Sequence, residues 1–184
     1  MASPEPVTVP AAEYARMRKL LDQQEIADCQ ARIARGADRF DRELYLSACH
    51  PDAQISVGGH TMPAAESFEG GKAGHDAGTI GTLHCLSTSN CDISGDVAHV
   101  ETYHIYCART KDDTSWAATG RYLDRFERRG DEWRIIARTV VVDWFRAFPD
   151  ADDWSNGFMG IPVEPGCLAP DDASYKLLKL RTGG

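Results

Sequence analysis

Residues 116–144 read WAATGRYLDRFERRGDEWRIIARTVVVDW. Two apolar and aromatic runs flank the charged tip Glu127-Arg128-Arg129-Gly130-Asp131-Glu132. The first run holds Trp, Tyr, Leu and Phe; the second is rich in Ile and Val. Such residues fit a pleated, half-buried surface, and a polar tip with a glycine supplies the turn. The stretch predicts a hairpin of two long strands, which curl around a helix or a cavity.

The second strand carries an arginine in an apolar context. Strict alternation puts Arg134, Ile136, Arg138, Val140 and Val142 on one face. Trp133, Ile135, Ala137, Thr139 and Val141 fall on the other. If the Arg138 face is interior, the guanidinium is buried and needs an anionic or acceptor partner. If a bulge shifts the register, Arg138 is an ordinary surface residue.

The rest of the chain frames this hairpin. Its 184 residues suit one domain with a single core. The net charge of −8 and the absence of a basic stripe speak against nucleic acid as a partner. There is no apolar run of membrane-spanning length and no signal-like start, so a cytoplasmic protein is expected. In that compartment the six cysteines read as free thiols, with Cys29, Cys49 and Cys107 as small buried hydrophobes. No CxxC pair occurs, so no metal site is expected.

Residues 1–10, with three prolines, read as a mobile arm. From 11 to about 35, Met17, Leu20, Leu21, Ile26, Cys29 and Ile33 recur at helical spacing, and Gly36 is placed as the C-cap. Asp38 or Asp41 can cap a short helix over 41–48, closed by Pro51-Asp52. A strand follows at 53–57, then a loop over 58–63. His60 lies in this loop, lining a site or facing water. Residues 64–81 are glycine-rich and predict a short helix in a mobile, lid-like segment. His75 lies there without an assigned role.

Strands are expected at 82–93 and 97–108 around the Ser94-Gly95-Asp96 turn. Glu101, Tyr103 and Ile105 share one face of the second of these. Val100, Thr102, His104 and Tyr106 share the other, with His104 at the surface or in the core. Residues 147–184 are too apolar for a free tail and predict an extension across the domain or a neighbouring subunit, with a helical turn near 174–179. Helices followed by strands give an α+β fold, with helices closing one side of a curved, mostly antiparallel sheet. A cone of that kind encloses a ligand pocket.

The stretch LDRFERR-x-x-x-W-R-I, the segment ARGADRFDRELYLSACHPDA, and the strand around His84 followed by GDVAHVETY resemble the SnoaL-like branch of the NTF2-like superfamily. The resemblance covers residues 12 to 146, and the domain is set at 11–146. It implies a cone-shaped barrel with an apolar pocket, assembled as a homodimer or homotrimer. Members include cofactor-independent lyases of the hexachlorocyclohexane dehydrochlorinase, scytalone dehydratase and bile-acid dehydratase types, which use a His general base oriented by an Asp. Asp38 falls at the Asp position of that dyad. His84 falls at its His position, counted from the Gly95-Asp96 turn. Arg138 matches a pocket arginine, and Tyr122 and Tyr103 fall on pocket walls. Ile105, in line with Tyr103, joins them, as do Val140 and Val142, in line with Arg138. One departure concerns the leaving group: the dehydrochlorinase type has a lysine about one helical turn before the Asp, where this chain has Ile33.

An imidazole with an ordinary pKa of about 6.5 accepts a proton near pH 7, and a carboxylate on its far nitrogen fixes the tautomer. The expected function is therefore elimination of water, formaldehyde (from a lignin-derived diaryl compound) or halide from an apolar aromatic or polycyclic molecule, without a cofactor, in aromatic compound catabolism. Two alternatives stand beside it. One is the non-catalytic small subunit of an aromatic-ring-hydroxylating dioxygenase, which needs no Asp–His–Arg set. The other is a polyketide cyclase or ketosteroid-isomerase-like enzyme, with Asp124 or Glu101 as its base.

Overall fold

The computed structural model describes residues 9–112, 114–149 and 166–178. What is expected of the arm and the extension at 1–8, 150–165 and 179–184 lies outside the described residues. Helices α1 (Ala11–Arg39) and α2 (Arg42–Ser47) lead into β1 (Cys49–Val57), β2 (His60–Pro63) and α3 (Ala64–Gly78). Four long strands follow: β3 (Thr79–Ser94), β4 (Val97–Thr110), β5 (Thr114–Arg129) and β6 (Glu132–Pro149), with α4 (Ser174–Leu177) behind them. The strands form one open sheet in the order β2-β1-β6-β5-β4-β3. All neighbours are antiparallel except β1 and β6, which run parallel. The fold is α+β, and α1 packs against the sheet at β3 and β6.

The hairpin forms as the sequence predicts. β5 and β6 pair along their lengths, and Gly130, at φ 66°, supplies the left-handed backbone its turn requires. The alternation, however, breaks at two points the sequence could not give, one at Asp143 and one nearer the turn. Phe126 faces Ile135 and Arg125 faces Ala137, so Ile136 is an extra residue. Before this bulge Trp133 and Ile135 point into the core; after it, Arg138 does. The bulge thus exists, with the opposite consequence to the one expected. The interior face is that of Trp133, and the shift carries Arg138 into it instead of out of it.

Trp133 also fixes the hairpin to α1. It is 2 % exposed, and its Nε1–H donates to Asp22 Oδ1 at 3.0 Å. Arg128 Nη1 donates to the same oxygen, and its guanidinium lies 5.1 Å from the Trp133 ring centroid. Ile26, Cys29, Ile33, Phe126 and Ile135 continue the core inward. Fully burying one such aliphatic or aromatic side chain stabilises by about 1.5–3 kcal/mol.

Several local expectations change. Helix α1 passes through Gly36 and ends at Arg39, with Phe40 (φ 49°) in the left-handed cap position. Gly36 is required for packing instead: a Cβ there would sit 2.6 Å from the Tyr45 backbone nitrogen, where α2 crosses. Asp41, not Asp38, caps α2, accepting from the Leu44 N–H at 3.0 Å. Pro51-Asp52 does not close a helix; it lies in β1, where pairing with β6 shifts register. The 58–63 loop is a Gly58-Gly59 turn followed by edge strand β2. The lid-like segment is a helix of 15 residues, anchored by Phe68 against Tyr45 and Phe40. Met17, Leu20 and Leu21, assigned to the apolar face of α1, are exposed. All six cysteines are free; Cys29 and Cys49 are buried, and Cys107 is only partly so.

Candidate active site

The C-terminal turn of α1 delivers Asp38 to the start of β3. A carboxylate is disfavoured near a helix C-terminus, where backbone carbonyls give a negative potential. Three donors offset that. His84 Nδ1 lies 2.6 Å from Asp38 Oδ1, the His84 backbone N–H donates to Oδ2 at 2.8 Å, and Thr82 Oγ1 donates to Oδ1 at 3.2 Å. The Asp38 and His84 side chains are 8 % and 18 % exposed. An ionised carboxylate only accepts, so Nδ1 carries the proton and Nε2 presents its lone pair. Among the described residues no group hydrogen-bonds that Nε2.

Both residues line a cavity of about 790 Å³. Leu86, Ala31 and Ala34 give it apolar wall, Arg32, Arg35 and Arg39 line its α1 side, and Leu178 borders it from the C-terminal segment. That segment is pinned beside Asp38. Arg39 pairs with Asp172 at 3.3 Å, Arg35 donates to Ser174 Oγ at 2.7 Å and covers the Tyr175 ring, and the Tyr175 hydroxyl donates to Asp41 Oδ2 at 2.7 Å. The Ser174 hydroxyl and backbone N–H and the Cys167 N–H donate to Asp172, and together with Arg39 they hold its carboxyl at a pKa of about 2.

A second group of side chains lies on the helix-facing side of β4, β5 and β6. Arg138, 6 % exposed, donates from Nε and Nη2 to the two oxygens of Asp124, each at 2.7 Å. This is the anionic partner that burial of the arginine demanded. The Arg138 guanidinium sits 4.1 Å from the centroid of Tyr122, and from the strand on the other side His104 stacks on the same ring at 4.0 Å and 3°. Gln30 of α1 donates to Thr102 Oγ1 at 2.5 Å and reaches Asp124 Oδ2 at 3.5 Å. Burial pushes the Tyr122 hydroxyl up to about 12, and burial, then the neighbouring His84 and Arg138, lowers His104 to about 4. Both therefore stay neutral near pH 7.

The candidate residues are thus distributed unevenly. Asp38 and His84 meet, while Arg138 and Tyr122 form the adjoining cluster and do not line the cavity that reaches the dyad. Val140 is half-buried on the Arg138 side, and Val142 is 54 % exposed. Tyr103 and Ile105 are 45 % and 46 % exposed, on the face of β4 opposite Thr102 and His104. Their assignment to a pocket wall is corrected: β4 is aromatic or apolar on both faces, and the outer one was chosen. His60 is exposed on β2, paired with Val57, and does not line the cavity at the dyad. Glu101 binds Arg121 on the outer face, and Asp124 is committed to Arg138, so neither is a free base. Sequence reasoning gave no role to Tyr106, the cross-strand partner of His84, whose ring lies 4.6 Å from the imidazole. The alternation that put His104 and Tyr106 on one face was the signal for it. Among the described residues no cluster of three or more His, Cys, Asp or Glu is placed to hold a metal ion. No helix there is long and apolar enough to cross a membrane.

The SnoaL-like domain family matches residues 18–139, and the chain belongs to that family. Solved structures share the fold. A type 2 hexachlorocyclohexane dehydrochlorinase superposes with a TM-score of 0.70 at 16 % identity, over 78 % of this chain and 99 % of that one. A candidate scytalone dehydratase from Novosphingobium aromaticivorans gives 0.64 at 16 % identity, over 75 % and 93 %. The Kfla4162 protein of Kribbella flavida gives 0.64 at 19 % identity, over 70 % and 95 %. No curated protein matches the sequence.

Proposed function

We propose that the chain is a cofactor-independent lyase in which His84, oriented by Asp38, is the general base. The single observation behind this reading is the 2.6 Å contact between Asp38 Oδ1 and His84 Nδ1, at the wall of a cavity, with Nε2 left open. His84 Nε2 takes a proton from the substrate, and Asp38 stabilises the imidazolium that forms. General-base catalysis of this kind contributes roughly 10²–10⁴-fold. The substrate is an apolar aromatic or polycyclic molecule that loses water, formaldehyde or halide. Arg138, with Tyr122 and His104, forms a polar cluster that adjoins the dyad without lining its cavity, and Asp124 holds its guanidinium. Ile33, where the dehydrochlorinase type has a lysine, favours a leaving group other than halide.

The reading extends to a cytoplasmic homodimer or homotrimer. The exposed outer face of the sheet, with Tyr103, Ile105 and Leu123, supports association. Sedimentation equilibrium tests it, and a monomer at micromolar concentration would rule it out. The domain is taken as 11–146, with 147–184 as an extension packed on it or on a neighbouring subunit.

The deciding experiment screens aromatic alcohols, diols and hydroxy ketones by mass spectrometry against wild type, His84→Ala and Asp38→Asn. Both variants should lose turnover at least about 10²-fold. Full activity in His84→Ala would sink the reading.

A further inference from the structure

We infer that Arg32 and Arg35 form an anion-binding subsite in the cavity of the dyad, and that the substrate is an aromatic carboxylic acid bound as its carboxylate. The inference rests on the reading of this cavity as the substrate site and names the substrate class that reading leaves open.

In a chain of net charge −8, three arginines of α1, Arg32, Arg35 and Arg39, follow one another along one wall of the cavity. Spacings of three and four residues bring them to one face of the helix. Cations near a helix C-terminus offset its dipole, which explains their sign but not how they are paired. Arg39 is neutralised by Asp172. Arg35 contacts neutral groups, the Ser174 hydroxyl and the Tyr175 ring. Arg32 lies against the Cys29 thiol, which burial keeps protonated. Among the described residues neither Arg32 nor Arg35 has a carboxylate partner. The Nε–H of each is shielded from water and donates to no described group. A partly desolvated guanidinium without a counter-charge is costly, and an anion in the cavity offsets that cost.

The chemistry of the pair selects the ligand. A guanidinium presents a planar fork of donors that matches a carboxylate. Glu25 and Asp28 line the same wall nearer the N-terminus of α1, and Asp131 borders the cavity from the β5–β6 turn. The wall therefore changes sign along α1, and an anion is directed towards the end where Asp38 and His84 stand. Arg32 precedes Asp38 by roughly 9 Å of axial rise along α1. The carboxylate it holds is thus remote from the carbon that gives its proton to His84. Ala31, Ala34 and Leu86 supply apolar wall for the ring that joins the two. The acid fixes the direction in which that ring enters the cavity.

The test is isothermal titration calorimetry on the full chain at neutral pH, with naphthoate against naphthamide, which has nearly the same shape and no charge. Wild type should bind the acid at least about tenfold more tightly than the amide. Arg32→Gln should lower that preference, and adding Arg35→Gln should bring it within about twofold of unity. Arg32→Lys keeps the charge without the fork and should retain part of the preference. His84→Ala should retain all of it, and circular dichroism checks that each variant is folded. Equal affinity for acid and amide in wild type, or a preference unchanged by the double substitution, overturns the subsite and leaves His84 as base. Loss of the preference in His84→Ala alone would assign the anion to the imidazole and overturn both readings. Binding of neither probe to wild type overturns the subsite together with the cavity as the substrate site.

Discussion

His104 offers a pH-dependent stability that can be worked out from its surroundings. It is 5 % exposed, lies flat on Tyr122 at 4.0 Å, and its Nδ1 finds no partner among the described residues. Burial, then the charges of His84 and Arg138, lowers its pKa from 6.5 to about 4. Because the folded value lies below the unfolded one, the unfolded chain binds more protons between those pH values. Stability is therefore full above pH 6.5, falls as the pH drops through 4, and levels off through this residue once the folded imidazole is fully protonated. At about 1.4 kcal/mol per unit, the whole window is worth roughly 3.5 kcal/mol, of which roughly 2–3 kcal/mol is lost by pH 4, where the folded imidazole is half protonated. His104→Phe keeps an aromatic ring on Tyr122 and removes the titration. Urea unfolding followed by tryptophan fluorescence at pH 7, 5.5 and 4 gives the comparison. Between pH 7 and 4 the wild type should lose roughly 2–3 kcal/mol more than the variant, since the other titrating groups are common to both. Equal losses, within about 0.5 kcal/mol, would refute the assignment of His104 as a buried neutral imidazole.

Two further perturbations probe the surroundings of the dyad. Asp124→Ala leaves Arg138 buried without its carboxylate and should cost about 3–5 kcal/mol in chemical denaturation, whereas Asp124→Leu with Arg138→Met should recover most of that; a single-variant cost under about 1 kcal/mol would show the pair to be solvated. Asp172→Ala combined with Tyr175→Phe removes the Arg39 and Asp41 contacts of the C-terminal segment, so trypsin should cut after Lys176 about tenfold faster or more, with the domain still folded by circular dichroism; an unchanged rate would mean other contacts hold the segment.

The site was legible to different depths for different physical reasons. The pattern of residues 116–144 was enough for the hairpin, and the motif resemblance led to Asp38 and His84, which meet at 2.6 Å. Periodicity alone gave Asp38 no more than a helix cap, because the contact that matters crosses 46 residues of sequence. Tyr103 and Ile105 were misplaced for the converse reason. Where both faces of a strand are aromatic or apolar, alternation divides the residues but does not name the inner set. Here the inner set of β4 is the more polar one, with Thr102 and His104 stitched into contacts with Gln30 and Tyr122.

What the sequence determined by itself is local: the hairpin and its Gly130 turn, a short helix opened by Asp38 or Asp41, the two-layer α+β order, and through its motifs the family, with the dyad as a candidate. These follow from side-chain period, turn chemistry and short-range hydrogen bonds, which act over a few residues. Tertiary structure alone decided the rest. The extra residue at Ile136 sets the side to which Arg138 turns, and it depends on how β6 fits between β5 and β1 at once. The Asp124 carboxylate that makes this burial tolerable comes from the neighbouring strand, and the Tyr106 ring stands beside His84 only because β3 and β4 pair in that register. Each of these is a property of strands in contact, and no single segment encodes it.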